Sequence, residues 1–338
     1  MIRSKNICVL LLLLLASTIL FIGCGSEPIP YNGEDDDDTE KLLILENCNT
    51  PVPMSKGAVI GYAAGWKKAP TDKQLEMLTH VMVFQIHPNA DGSLDKKALA
   101  SWLNADFMER AHSKNVKVSV AIGGWVNDGE NKSPQSAFWV SATNAENRVK
   151  FANNIIRFVD SLKLDGIDID WEYPQGEEGW NQFIALVSDL KTAMPCKRIS
   201  AALSGATPGQ KNFPGDVQSK IWGAMDAIQL MSYDMCNWET HSDAAASKQL
   251  IDDWANWGQG EKKFDKRKLV LGCAFYPRTC GSISSPGDTP ESLKEKVNHC
   301  YDNGYGGVMI WELSQDLPNN TLLTAIYDAT QSKGGYKE

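Results

Sequence analysis

The chain has 338 residues, 43% of them hydrophobic, enough to bury one large core or two modest ones. A net charge of −9 argues against nucleic acid, which demands a basic surface, and suits a neutral or cationic ligand. Eight Cys are present without a single C-x-x-C pair, so neither a zinc site nor a thioredoxin-like motif is expected.

From the N-terminus, residues 1–24 form a targeting segment. Arg3 and Lys5 give it a positive start, Ile7 to Ile22 is almost wholly apolar, and Gly23-Cys24 closes it. A small residue before Cys at the end of such a run resembles a bacterial lipoprotein signal, with cleavage before Cys24 and lipidation of that residue. Phe21 and Ile22 depart from the usual pattern. The competing reading is an uncleaved anchor, for which the run is at the short limit of roughly 17–25 residues. Both readings export the rest of the chain, and the expectation is a lipoprotein anchored at a bacterial outer membrane or cell surface. Residues 25–56 follow as an acidic tether. Gly25-Ser26-Glu27-Pro28-Ile29-Pro30 and Glu34-Asp35-Asp36-Asp37-Asp38 cannot bury apolar surface. Export permits disulfides; Cys280 with Cys300 is one pairing the sequence allows, connectivity being undetermined. Cys273 sits inside an apolar strand and is expected as core.

Over 57–332, strand-like and helix-like runs alternate. Apolar strands are expected at Ala58–Tyr62, His80–His87, Val116–Gly123, Leu164–Glu172, Arg198–Ser204, Ala227–Asp234, Lys268–Tyr276 and Gly307–Leu313. Helical periodicity marks Asn147–Leu162, Trp180–Met194, Ser247–Trp257 and Glu291–Tyr301. Near-continuous apolar strands alternating with helices predict a parallel sheet, and eight units predict a closed (β/α)8 barrel. An open doubly wound sheet would need a glycine-rich phosphate turn, of which Gly61-Tyr62-Ala63-Ala64-Gly65 is a poor version. Residues 333–338 are a short tail. In such a barrel, catalytic groups belong at the C-terminal ends of strands.

One strand carries acids at that end. In Leu164-Asp165-Gly166-Ile167-Asp168-Ile169-Asp170-Trp171-Glu172-Tyr173-Pro174, alternation puts Asp168, Asp170 and Glu172 on one face and Ile167, Ile169 and Trp171 on the other. The apolar set faces the helices, so the acids face the barrel interior, neighbours about 6–7 Å apart. Two unit charges at 4 Å repel by about 4 kcal/mol at an effective dielectric of 20. The row should therefore share protons, keeping one acid available to protonate a leaving group. A calcium site draws its ligands from a loop rather than from alternate strand positions, and no metal or other cofactor is expected. Asp165 has the wrong parity for the row and is expected to anchor the strand start.

The stretch Asp165 to Pro174 resembles the signature of glycoside hydrolase family 18, the chitinase family. Val59-Ile60-Gly61-Tyr62, Ala121-Ile122-Gly123-Gly124-Trp125, Met231-Ser232-Tyr233-Asp234, Phe275-Tyr276-Pro277-Arg278 and Met309-Ile310-Trp311-Glu312 resemble other family strands in the right order. The resemblance implies that Glu172 is the general acid and later base. The substrate's own 2-acetamido carbonyl would be the nucleophile, giving an oxazolinium intermediate and net retention. It implies that Asp170 orients the acetamide, that Asp168 tunes Asp170, and that Tyr233 hydrogen-bonds the acetamido carbonyl. Asp234 and Met231 would line the same subsite, with Trp311 as its floor. Tyr62, Arg278, Trp125 and Trp238 are candidates for lining the groove, the two Trp by stacking on sugars. The sequence departs from the family at Ala121, usually Ser, and at Pro277, usually Gly. Only about 30 residues separate Tyr276 from Gly307, too few for the α+β domain that some members insert there, so a shallow groove and internal cleavage are expected. The function implied is an exported, monomeric endo-hydrolase of β-1,4-linked N-acetylglucosamine polymers such as chitin and chitooligosaccharides. The alternatives are an endo-β-N-acetylglucosaminidase acting on N-glycan cores and a glycan-binding lectin without catalysis.

Overall fold

The computed structural model describes residues 40–53, 55–125, 135–205, 217–236, 240–257, 265–280 and 283–337. Its eight barrel strands are β1 (Ala58–Ala64), β2 (His80–Pro88), β3 (Lys117–Gly123), β4 (Gly166–Asp170), β5 (Arg198–Ser204), β6 (Ala227–Met231), β7 (Leu269–Ala274) and β8 (Gly307–Trp311). Each pairs in parallel with its neighbours in sequence, and β8 pairs with β1 to close the ring. This is the (β/α)8 barrel expected from the alternating pattern. The connecting helices are α1 (Asp72–Leu75), α2 (Ala105–Ser113), α3 (Gln135–Thr143), α4 (Arg148–Ser161), α5 (Gly176–Ala193), α6 (Val217–Ala224), α7 (Ala244–Asn256), α8 (Pro290–Asn303) and α9 (Thr321–Ser332).

Strand alternation sorts the side chains into two layers. Val59 and Ala63 of β1, and Ile167, Ile169 and Trp171 of the acid strand, belong to the large cluster between sheet and helices. Behind the acid row, Trp171 stacks on Trp139 of α3, with centroids 5.2 Å apart and planes 6° from parallel. The opposite parity, Ala58, Ile60 and Tyr62 with Met82, Phe84, Ala121, Val270 and Met309, forms the smaller cluster inside the barrel. β4 ends at Asp170, two residues before the expected end, because its pairing with β3 stops at Gly123.

Between β7 and β8 the described residues hold only a short antiparallel hairpin, Arg278–Cys280 with Ile283–Ser285, and α8. Thr289 and Ser292 form a capping box at the start of α8, Pro290 occupies its first turn, and Gly304 ends it in the left-handed conformation. Beneath this region lies a fully buried ion pair, Lys296 Nζ to Asp288 at 2.9 Å. The Asp288 carboxylate also accepts from Ser242 Oγ, Ser292 Oγ and the Ala274 N–H, so it has a donor on every side.

Two expectations need correction. The disulfides are Cys48–Cys196 and Cys236–Cys280, whereas Cys300 is a free buried thiol, as is Cys273. Cys300 lies on the inner face of α8, turned into the core, and Cys236 in the β6 loop takes its place beside Cys280. The tether expected over 25–56 overlaps a strap, residues 40–53, that is attached to the globule. Leu42, Leu43 and Leu45 pack against the core, Asn153 of α4 bonds Leu43 N–H and Lys41 C=O, and Cys48 closes the disulfide. Three Leu in this short stretch give it apolar surface to bury, which the acidic run before it lacks. Cys24 and the acidic run lie outside the described residues.

Candidate active site

A cleft of about 710 Å³ opens at the C-terminal ends of the strands. Its walls include Tyr62, Asp170, Glu172, Met231, Tyr233, Asp234, Arg278, Trp125 and Trp311, residues drawn from six barrel strands or the loops that follow them. Asp168 lies one step deeper in the barrel, and Trp238 lies outside the described residues. Glycines shape the mouth beside the acid row. Gly123, at φ 107°, is so close to β4 that a Cβ would stand 2.1 Å from the Asp170 carbonyl oxygen, and only Gly fits. That approach lets Gly124 N–H bond the same carbonyl at 2.7 Å and brings the Trp125 N–H to the Glu172 carboxylate.

The three acids have three different environments. Asp168 is fully buried yet satisfied: it accepts from Tyr62 O–H at 2.7 Å, from Ser200 O–H at 2.5 Å and from Gln229 N–H at 2.7 Å. Burial raises its pKa, and these three donors work against the rise. Ala121, its lateral neighbour on β3, offers no hydroxyl, so the donors come from β1, β5 and β6 instead. Asp170 is 4% exposed, and its Oδ1 has no hydrogen-bond partner among the described residues. Burial first, then the charges of Glu172 and Asp168, push its pKa well above the usual carboxylate range. Glu172 is half-buried at the cleft wall. Burial raises its pKa and Asp234 adds to the rise, while the Tyr173 hydroxyl and the Trp125 N–H favour its ionised form. The interior of the row is therefore harder to ionise than an ordinary carboxyl, and the outermost acid sits where a ligand can reach it.

The facing wall is built differently. Asp234 is bound by Tyr276 O–H at 2.6 Å and by Arg278 Nη1 at 2.5 Å, with His241 Nδ1 at 3.3 Å. Burial opposes its charge, yet His241, Tyr276 and Arg278 together hold its carboxyl below the usual range. It is thus an ionised, tethered acid rather than a free nucleophile. Tyr233 lines the cleft with a hydroxyl whose nearest partner is the weak acceptor Met309 Sδ at 3.9 Å, so it can donate to an arriving carbonyl. Trp311 forms the floor, set edge-on to Phe84 at 4.6 Å and to Tyr62 at 5.7 Å. Trp125 is 55% exposed at the rim, and Met231 lies half-buried between wall and floor.

Sequence reasoning missed several lining residues: Trp66, Phe84, Gln85, Tyr173, Ala202 and Tyr276. Trp66 was findable, since it follows β1 at the catalytic end; it is 61% exposed beside Phe84. Tyr276 adjoins the nominated Arg278 and shares its acceptor. Asp165, of the other parity, anchors the strand start through Val118 N–H and His112. Among the described residues no group of three or more His, Cys, Asp or Glu could hold a metal ion.

This carboxylate strand, its interior parity and its aromatic floor coincide with a match of residues 58–287 to the profile of glycosyl hydrolases family 18. The chain belongs to glycosyl hydrolase family 18. Similar proteins include an endochitinase of Manduca sexta, 26% identical over 279 residues, covering 70% of this chain and 48% of that protein. A secreted chitinase of Penicillium expansum is 33% identical over 251 residues, covering 64% of this chain and 16% of the relative. The chain thus spans less than half the length of these curated relatives. Among solved structures, a family 18 chitinase from the chitin utilization locus of Flavobacterium johnsoniae superposes with a TM-score of 0.65 at 24% identity, covering 83% of this chain and 97% of that one. A chitinase from Bacteroides thetaiotaomicron gives 0.66 at 21% identity, covering 82% and 98%. At these identities the structural matches speak for the fold.

Proposed function

We propose that this family 18 member is a retaining endo-hydrolase of β-1,4-linked N-acetylglucosamine polymers, with Glu172 as acid and then base. The observation that carries the reading is the graded acid row: a satisfied Asp168, an Asp170 whose pKa burial and two acidic neighbours raise well above the usual range, and a reachable Glu172 with raised pKa. Glu172 donates its proton to the glycosidic oxygen and later withdraws one from water. A two-carboxylate mechanism needs a second, ionised carboxylate across the scissile bond. Burial and two acidic neighbours oppose the ionisation of Asp170, and Asp234 is tied to Arg278 and Tyr276, so neither suits that role. The nucleophile is then the substrate's acetamido carbonyl, received by Tyr233, while Asp170, which lines the cleft, receives the acetamide N–H. The open mouth between β7 and β8 suits cleavage within a chain. No cofactor enters this scheme.

Names of related proteins support the substrate class: solved relatives from Nicotiana tobaccum and Cycas revoluta are chitinases in complex with a four-sugar N-acetylglucosamine oligomer. Two disulfides support export, since such bonds persist in oxidising compartments. Anchoring through a lipid on Cys24 rests on the sequence and is tested by labelled fatty-acid incorporation into wild type and Cys24→Ala.

Product analysis on chitooligosaccharides and on a high-mannose glycopeptide, wild type beside Glu172→Gln, tests the activity. Oligosaccharide cleavage lost in the variant supports the proposal. Cleavage of the glycopeptide alone moves the substrate to N-glycan cores, and binding without cleavage of either makes the protein a lectin.

A further inference from the structure

The opposite end of the barrel, at the N-terminal ends of the strands, encloses a second cavity of about 290 Å³. Its walls carry Arg198 at the start of β5, Lys117 at the start of β3 and His80 at the start of β2, against one carboxylate, Asp165, while Thr50 to Pro53 of the strap close one side. Arg198 is the unusual member. It is 5% exposed, its Nε has no hydrogen-bond partner, and no carboxylate lies within ion-pair distance of it among the described residues.

The acids nearby are engaged elsewhere. Asp165 Oδ2 accepts from Val118 N–H and contacts His112 Nε2 at 2.7 Å, with Lys117 Nζ 4.0 Å from its other oxygen. Asp226 is taken by Lys191 Nζ and the Ile199 N–H, and Asp168 by its three donors within the barrel. Burial, Arg198 and Lys117 together hold His80 well below its usual pKa, so the imidazole supplies no compensating charge of either sign. Burial opposes the Arg198 charge and outweighs Asp226 and Asp168, which favour it from a distance without touching it. A guanidinium buried without a direct partner is costly, and its planar fork matches an oxyanion in bidentate fashion.

We propose that this basal cavity is a binding site for a small oxyanion of the phosphate, sulfate or carboxylate type, held by Arg198 and Lys117. The anion neutralises Arg198 and links the strap, the barrel base and the C-terminal Tyr336, all of which line the cavity. The site is independent of the cleft: Arg198 is the first residue of its strand, whereas Asp170 is the last of the neighbouring one.

The test is thermal unfolding of the full chain, disulfides intact, titrated with phosphate, sulfate or acetate against sodium chloride at matched ionic strength. Calorimetric titration with the same anions runs in parallel. The expected result is a saturable rise in Tm of about 2–6 °C above the chloride control, absent in Arg198→Met, with catalytic rate unchanged in both proteins. The ranking of the three anions identifies the preferred chemistry. A rise no greater than with chloride, or one that persists in Arg198→Met, overturns the proposal. Should Arg198→Met fail to fold, Lys117→Met decides: a several-fold weaker Kd for phosphate supports the site, and an unchanged Kd refutes it.

Discussion

Two carboxylates at this barrel, Asp288 and Asp170, are almost equally buried and treated in opposite ways. Asp288 has a lysine, two hydroxyls and a backbone N–H around it. Asp170 has an empty acceptor and two acidic neighbours. The first arrangement satisfies the buried charge with direct partners; the second leaves a carboxyl oxygen without one. Burial alone therefore says little about role, and the state of the acceptors says most.

The comparison can be broken from either side. On the proposed mechanism Glu172→Gln removes the proton donor and should lower kcat/KM by about 10²–10⁴-fold while oligosaccharide affinity survives; steady-state kinetics beside equilibrium binding checks this. Lys296→Met strips Asp288 of its counter-ion and should cost roughly 3–5 kcal/mol in denaturant unfolding, because it leaves a charge buried and unpaired.

Asp170→Asn should do the reverse of Lys296→Met. It should lower kcat/KM by about 10²-fold yet raise Tm at neutral pH. The sign follows from the raised folded pKa of Asp170. Its contribution to stability is present below the unfolded carboxyl value, near 3.9, and is lost as pH rises through the folded value. The gain in the variant should accordingly shrink as the solution is acidified, and a gain that grew on acidification would contradict the assignment. Tyr173→Phe should have the smallest effect. The hydroxyl favours ionised Glu172, so removing it raises the Glu172 pKa further and moves the alkaline limb of kcat/KM to higher pH.

The barrel and the acid row were legible because both are encoded in strand period: eight apolar runs, and three acids at alternate positions of one of them. The parity that placed Trp171 among the helices and Asp168 inside needed no long-range information. What stayed hidden depends on residues far apart in the chain. Cys48 meets Cys196 across 148 positions, and nothing local to either names the other. The unpaired state of Arg198 is equally invisible, since it depends on which donors occupy Asp165, Asp226 and Asp168. Trp66 was missed for a different reason: Gly65 carries the chain past the end of β1, so the residue belongs to a loop rather than to any period.

The strap has a mechanical consequence. Tension applied to the chain ahead of residue 40 reaches first the contacts of Glu40, Lys41 and Leu43 with Asn153 and of Leu45 with the Ala193 carbonyl, then the Cys48–Cys196 bond. Cys196 stands between α5 and the first residue of β5, on the far side of the barrel from the cleft. A covalent link there transfers force into the base of the sheet, and the mouth, with Glu172 and its aromatic floor, stays out of the line of pull.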